Sequence, residues 1–210
     1  TKLINLIDHQ NKQKLFLFVF LATWFIVNLI QSAFTGLVHD EAYYWMYSRD
    51  LAWGYFDHPP MLALLIRAGY SLFPGDLGVR LFTTLLGTLT LLVVFNMLAT
   101  PGRSLWLYLA LVCSVILIQS HVGGFLGIPA IPVVFFSAVF LLLYKKYLGE
   151  DSVLLAFLLA VIGACMLYSK YHGVLILFFT FFANVRIARR ASFWLIPVLI
   201  FLFMLPHLFW

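Results

Sequence analysis

The feature that most constrains this chain is its supply of long apolar runs. Segments at roughly 14–34, 78–98, 104–121, 127–146, 152–169, 172–185 and 193–210 consist almost wholly of Leu, Phe, Val, Ile, Ala and other uncharged residues, and each is bounded by a charge cluster or a turn signal. A helix needs about 20 such residues to cross a hydrocarbon core of about 30 Å. The pattern predicts an all-α membrane protein, a polytopic helix bundle of about seven membrane segments forming one transmembrane module over 1–210. Composition agrees: 64% of residues are hydrophobic and 10% are charged, against about a quarter charged in a soluble domain. The sixth segment is short for a straight crossing and is expected to be partly re-entrant.

The net charge of +5 does not point to nucleic acid, because the basic residues form short clusters beside apolar segments and no continuous stripe. With a cytoplasmic N-terminus, one side receives Lys2, Lys12, Lys14, Arg103, Lys145, Lys146, Arg186, Arg189 and Arg190, and the other only Arg49, Arg67, Arg80 and Lys170. That distribution obeys the positive-inside rule. The run NVRIARR reads as a cytoplasmic stop signal that touches anionic lipid. Cys113 and Cys165 both sit in apolar runs, which argues against a disulfide framework or a thiolate metal site. The first apolar run is span-length with no cleavage pattern behind it, so it is expected to be retained as a helix.

Acidic residues lean to the other side, with Asp40, Glu41, Asp50, Asp57 and Asp76 all outside. Most lie in the first outside loop, about 37–78, which contains HDEAYYWMYSRDLAWGYFDHPPM at 39–61. A loop this long is functional or disordered, and its aromatic content argues against disorder. Two short helices are expected in it. Asp40 can cap EAYYWMYSRDL, and Pro59 and Pro60 suit the first turn of a second helix. Both helices are placed at the outer membrane interface, where Tyr and Trp concentrate.

Each polar position has a structural and a chemical reading. Asp40 and Glu41 suit a helix N-terminus, and equally a general base at the bilayer surface. Asp57 and His58 suit a capped helix start, or a second polar cluster meeting a phosphate or a divalent cation. Lys170 either snorkels to the headgroups or serves as a point-charge phosphate ligand; His172, His121 and His207 also lie at outer ends. Neither a glycine-rich nucleotide loop, a zinc spacing nor a nucleophile elbow occurs.

DEAYYW, GYFDHPPM, Arg80 at the second span, YSKYHGVL and PHLFW together resemble the N-terminal membrane half of family 39-type glycosyltransferases. These belong to the GT-C superfamily and include protein O-mannosyltransferases and lipid A aminoarabinose transferases. The resemblance runs from about Val38 to Trp210. It implies an integral-membrane enzyme, in the bacterial inner membrane, that moves a sugar from a polyprenyl-phosphate donor to a lipid, glycan or protein acceptor on the periplasmic face. It also implies roles: Asp40 as base or acceptor-orienting group, Glu41 as its support, and Lys170, Arg80 and His172 as ligands of the donor phosphate. Tyr55, Asp57, His58 and Pro59 would support the cavity. Where many relatives carry an Asp in a Thr-Pro-Asp-x-Pro-Leu sequence, this chain reads GIPAIPVVFF, with Ala130 in its place. Relatives continue with further spans and an outer domain, so the 210 residues are expected to belong to a longer chain and to be inactive alone. The competing readings are a flippase or transporter of lipid-linked sugars and a non-catalytic carrier-binding subunit.

Overall fold

The computed structural model describes residues 2–98 and 124–210; the segment expected at 104–121, with Cys113 and His121, lies outside the described residues. Eight α-helices and no strands occur among them: α1 (Lys2–Phe34), α2 (His39–Arg49), α3 (Met61–Leu72), α4 (Asp76–Leu98), α5 (Ala130–Gly149), α6 (Val153–Ser169), α7 (Gly173–Ala183) and α8 (Leu195–Phe209). Two 3₁₀ turns, Val185–Arg189 and Ala191–Trp194, join α7 to α8.

The class is the expected membrane helix bundle, and of the six expected segments that fall among the described residues four have the length of a span. Four described stretches have the length and apolar composition to cross a bilayer: Lys12–Phe34, Asp76–Met97, Ala130–Gly149 and Ala191–Phe209. At 17 residues α6 rises only about 25 Å, and at 11 residues α7 only about 16 Å. The latter covers about half of a hydrocarbon core.

The helices pack in a chain, α1 on α4, α4 on α5, α5 on α6 and α6 on α8, while α2 and α3 close one end of the bundle. Short as it is, α6 is central. Its Ala156, Ala160, Gly163 and Ala164 are buried, and a Cβ on Gly163 would lie 2.7 Å from Ile200 Cδ1. Without water to expel between helices, close approach of small side chains is what holds such a bundle together. The main core gathers Phe140, Tyr147, Leu159, Ile187, Ile196 and Met204. A smaller one, under the first loop, holds Tyr44, Leu62, Ile66 and Val79.

The loop helices form where expected, with a difference at the start of each. Helix α2 begins at His39, so Val38 occupies the cap position and Asp40 lies in the first turn. Glu41 supplies the capping contact instead, its Oε2 accepting the Val38 N–H at 3.1 Å. Likewise Asp57 does not cap α3, which follows Pro60 directly; its carboxylate turns back to α2. Gly75, at φ 103°, makes the turn from α3 into α4, a backbone state that favours glycine. This turn brings Gly78 against Gly69, where a Cβ on Gly69 would meet the Gly78 carbonyl oxygen at 2.2 Å. The close α3–α4 packing sets the start of α4, and therefore Arg80, beneath the loop.

Candidate functional site

The centre of the loop is a buried ion pair. Arg80 and Glu41 are both fully buried. Arg80 Nε donates to Glu41 Oε1 at 2.7 Å, and Nη2 donates to Oε2 at 2.5 Å. The remaining donors go to backbone: Nη1 to the carbonyls of Ser32 (3.1 Å) and Thr35 (2.5 Å), and Nη2 to that of Gly36 (2.9 Å). An arginine has five N–H donors, so its capacity is used up. The three carbonyls close the C-terminal end of α1, where a cation also complements the helix dipole. Below, the Phe125 ring lies 5.0 Å from the guanidinium carbon.

The Glu41 carboxylate is equally saturated. Besides Arg80 and the Val38 amide, its Oε1 accepts the Gly127 N–H at 2.7 Å. One ion pair thus joins the end of α1, the start of α2, the first turn of α4 and the strand of chain entering α5. Burial of both charges is tolerable because every lone pair and proton is matched. Gly127 was not legible as a participant: its contribution is a backbone amide, and a Cβ there would crowd the Val79 carbonyl at 3.3 Å.

Asp40, the neighbouring acid, is exposed and accepts no hydrogen bond among the described residues. It belongs to a second cluster. Tyr47 donates to Asp57 Oδ1 at 2.9 Å and Tyr43 reaches the same oxygen at 3.3 Å, while His58 Nε2 lies 3.8 Å from Asp57 Oδ2. The His58 ring meets Tyr44 edge-on at 5.3 Å. Burial pushes the Tyr44 hydroxyl up to about 12, with the negative charges of Asp57 and Asp40 adding to it. Tyr47 is raised too, by burial and then by its bonds to Tyr43 and Asp57. Asp40, Asp57, His58 and three tyrosines therefore share one neighbourhood.

Tyr55 fastens this cluster from below. It stacks on Tyr47 at 4.1 Å, donates toward the Tyr47 and Asp50 carbonyls and accepts the Ala52 N–H. The Tyr55 amide donates to the His58 carbonyl at 3.1 Å, closing the turn, and Pro59 is buried behind it.

The arrangement is that of a loop anchored by a buried ion pair, with the exposed Asp40 carboxylate beside an aromatic and acidic patch. Residues 57–210, more than half of the chain, match the Dolichyl-phosphate-mannose-protein mannosyltransferase family. The chain belongs to this family. It is accordingly a multi-pass membrane glycosyltransferase of the GT-C type. Comparison with curated proteins and with solved structures gave no match. Asp40 and Glu41 precede the stretch that the mannosyltransferase family matches; Asp57, His58, Arg80, Ala130, Lys170 and His172 fall within it.

The remaining candidates stand at the far end of the loop. Lys170 ends α6, half-buried, and its ammonium has no partner among the described residues. His172 is exposed ahead of α7. Neither touches the acids. Between them and the loop stands His207, whose Nδ1 lies 2.6 Å from the Trp53 carbonyl and whose Nε2 lies 2.9 Å from the Tyr171 hydroxyl. Gly54 fits against this corner: a Cβ there would approach Trp210 Cε3 to 2.7 Å and the His207 ring to 2.9 Å. Ala130 is the first residue of α5, three residues beyond the amide that Glu41 holds. Among the described residues no three His, Cys, Asp or Glu side chains gather as a metal set.

Proposed function

We propose that this mannosyltransferase-family chain transfers a sugar from a polyprenyl-phosphate donor to a hydroxyl or amine acceptor, with Asp40 as the base. The observation that carries the reading is the division between adjacent acids: Glu41 is buried with all its acceptor sites filled, while Asp40 is exposed and accepts no hydrogen bond among the described residues. A base must be free to receive a proton. Asp40 takes the acceptor proton as the acceptor oxygen or nitrogen bonds to the sugar's anomeric carbon. The bond from that carbon to the carrier phosphate breaks, and its electron pair leaves on the phosphate. Lys170, with His172, balances the charge developing there. Arg80, its donors fully engaged, acts through Glu41 as a positioning residue. The reacting face is the periplasmic side of a bacterial inner membrane, with the N-terminus cytoplasmic, because that assignment places most basic residues inside.

The test follows transfer from a radiolabelled polyprenyl-phosphate sugar by the full-length protein. Asp40→Asn is expected to lower turnover by about 10²–10⁴-fold, the usual contribution of a general base, without loss of thermal stability. Undiminished turnover would remove Asp40 from the mechanism. Carrier binding with no turnover in the unsubstituted protein would favour a binding subunit. Ala130→Asp, at the start of α5, is expected to raise turnover if a carboxylate belongs there.

A further inference from the structure

At the end of the bundle opposite the Asp40 loop, the chain carries its densest positive run, NVRIARR at 184–190. Helices α5 and α7 both begin on the loop side and end here, so the 184–194 link lies at the same end as Lys145 and Lys146. Its three arginines do different things. The Arg190 guanidinium donates to the Tyr147 carbonyl and, at 3.0 Å, to that of Leu148, lying 5.1 Å from the Tyr147 ring. It pins the link to the C-terminal end of α5.

Arg186 and Arg189 lie in the 3₁₀ turn Val185–Arg189. With three residues per turn, side chains at i and i+3 are eclipsed, so the two guanidiniums share one face while Ile187 is buried. Both arginines are exposed and have no partner among the described residues. Of the acids close in sequence to this end, Asp151 accepts the Ser192 hydroxyl and Glu150 is exposed. Counting Lys145, Lys146, Arg186, Arg189 and Arg190 against these two, the end is strongly positive.

Beside this turn lies a cavity of about 530 Å³ between α5, α7 and α8, walled by Phe140, Leu177, Phe181, Trp194, Ile200 and Phe201 and almost free of polar surface. Trp194 and Phe201 are more than half exposed at its edge, so it opens sideways. The Trp194 indole N–H donates to the Ala188 carbonyl at 3.1 Å, an indole placement suited to the headgroup level. The turn reaches the cavity wall through Ile187, and apolar walls beside a turn bearing two unpaired cations suit a ligand with a hydrocarbon tail and an anionic head.

We propose that this groove, with Arg186 and Arg189, seats an anionic phospholipid from the leaflet on that side, an acyl chain in the groove and the headgroup phosphate between the two guanidiniums. The site is separate from the proposed transfer chemistry and does not depend on it.

The test uses the full-length protein in nanodiscs of phosphatidylcholine with and without phosphatidylglycerol, counting retained lipid by native mass spectrometry. Phosphatidylglycerol is expected to be retained preferentially and to raise the unfolding temperature. R186Q/R189Q together should weaken its retention roughly thirty-fold, the surface attraction of two basic residues, with no change of unfolding temperature in phosphatidylcholine. Leu177→Trp, filling the groove, should also release it. Retention unchanged by R186Q/R189Q overturns the proposal. So does one-for-one displacement by polyprenyl phosphate, which assigns the groove to the carrier. If Leu177→Trp destabilises the protein equally in both lipids and releases none, another protein segment occupies the groove and the proposal fails.

Discussion

Removing the Glu41 carboxylate tests the loop's anchorage most directly. Glu41→Ala leaves Arg80 buried with two N–H groups and a full charge unmatched, strands the buried Gly127 amide, and frees the exposed Val38 amide to water. Breaking a buried pair from one side costs about 3–5 kcal/mol, and a stranded buried amide about 1–3 kcal/mol. Partial water entry offsets some of this, so the expected loss is about 4 kcal/mol. Glu41→Gln keeps the Oε1 contacts but points an amide N–H₂ at Arg80 and Val38, donor against donor, for an expected loss of about 2–3 kcal/mol. Asp40→Ala, at an exposed site one residue away, should cost under about 0.5 kcal/mol. Equilibrium unfolding in mixed micelles, followed by tryptophan fluorescence, measures all three. Equal stabilities for Asp40→Ala and Glu41→Ala would refute the reasoning, since only Glu41 is buried and holds Arg80 and the Gly127 and Val38 amides.

Other perturbations reach the loop elsewhere. Gly54→Ala drives a methyl into Trp210 and His207 and should destabilise by about 1–3 kcal/mol, detectable as faster proteolysis at residues 51–56. Tyr55→Phe removes a hydroxyl that both donates and accepts, with an expected loss of about 1 kcal/mol by the same unfolding measurement. Tyr44 should form phenolate only near pH 12, read by absorbance of a Tyr44→Phe difference spectrum, and Asp57→Asn should lower that value. Because the folded pKa is raised above the ordinary tyrosine value near 10, its contribution to stability is complete below about pH 10 and is lost as pH rises toward 12.

The membrane class, the long loop and its two helices were legible because each is a local matter. Apolar run length sets what a helix can cross, and Pro59 with Pro60 marks a helix start wherever it occurs. Recognition of the family also rested on short motifs that survive without coordinates. The sixth segment already read as short in the sequence, and the structure trims it further, to the 11 residues of α7, because the chain turns into 3₁₀ geometry at Val185.

The sequence by itself determined that carboxylates, tyrosines and a histidine would share one loop of a membrane protein. Residue type alone did not separate Asp40 from Glu41, whose different roles came only from the family resemblance, and that resemblance offered Arg80 as a cation for phosphate. Only the tertiary structure divided their surroundings. Successive residues on a helix point about 100° apart, so α2 turns Glu41 inward to Arg80, 39 positions along the chain, and leaves Asp40 facing out. Which of the two meets a cation depends on where α1 ends, how tightly α3 approaches α4 at Gly69 and Gly78, and where the Gly127 amide arrives. Those are contacts between distant segments, and no local pattern of residues encodes them.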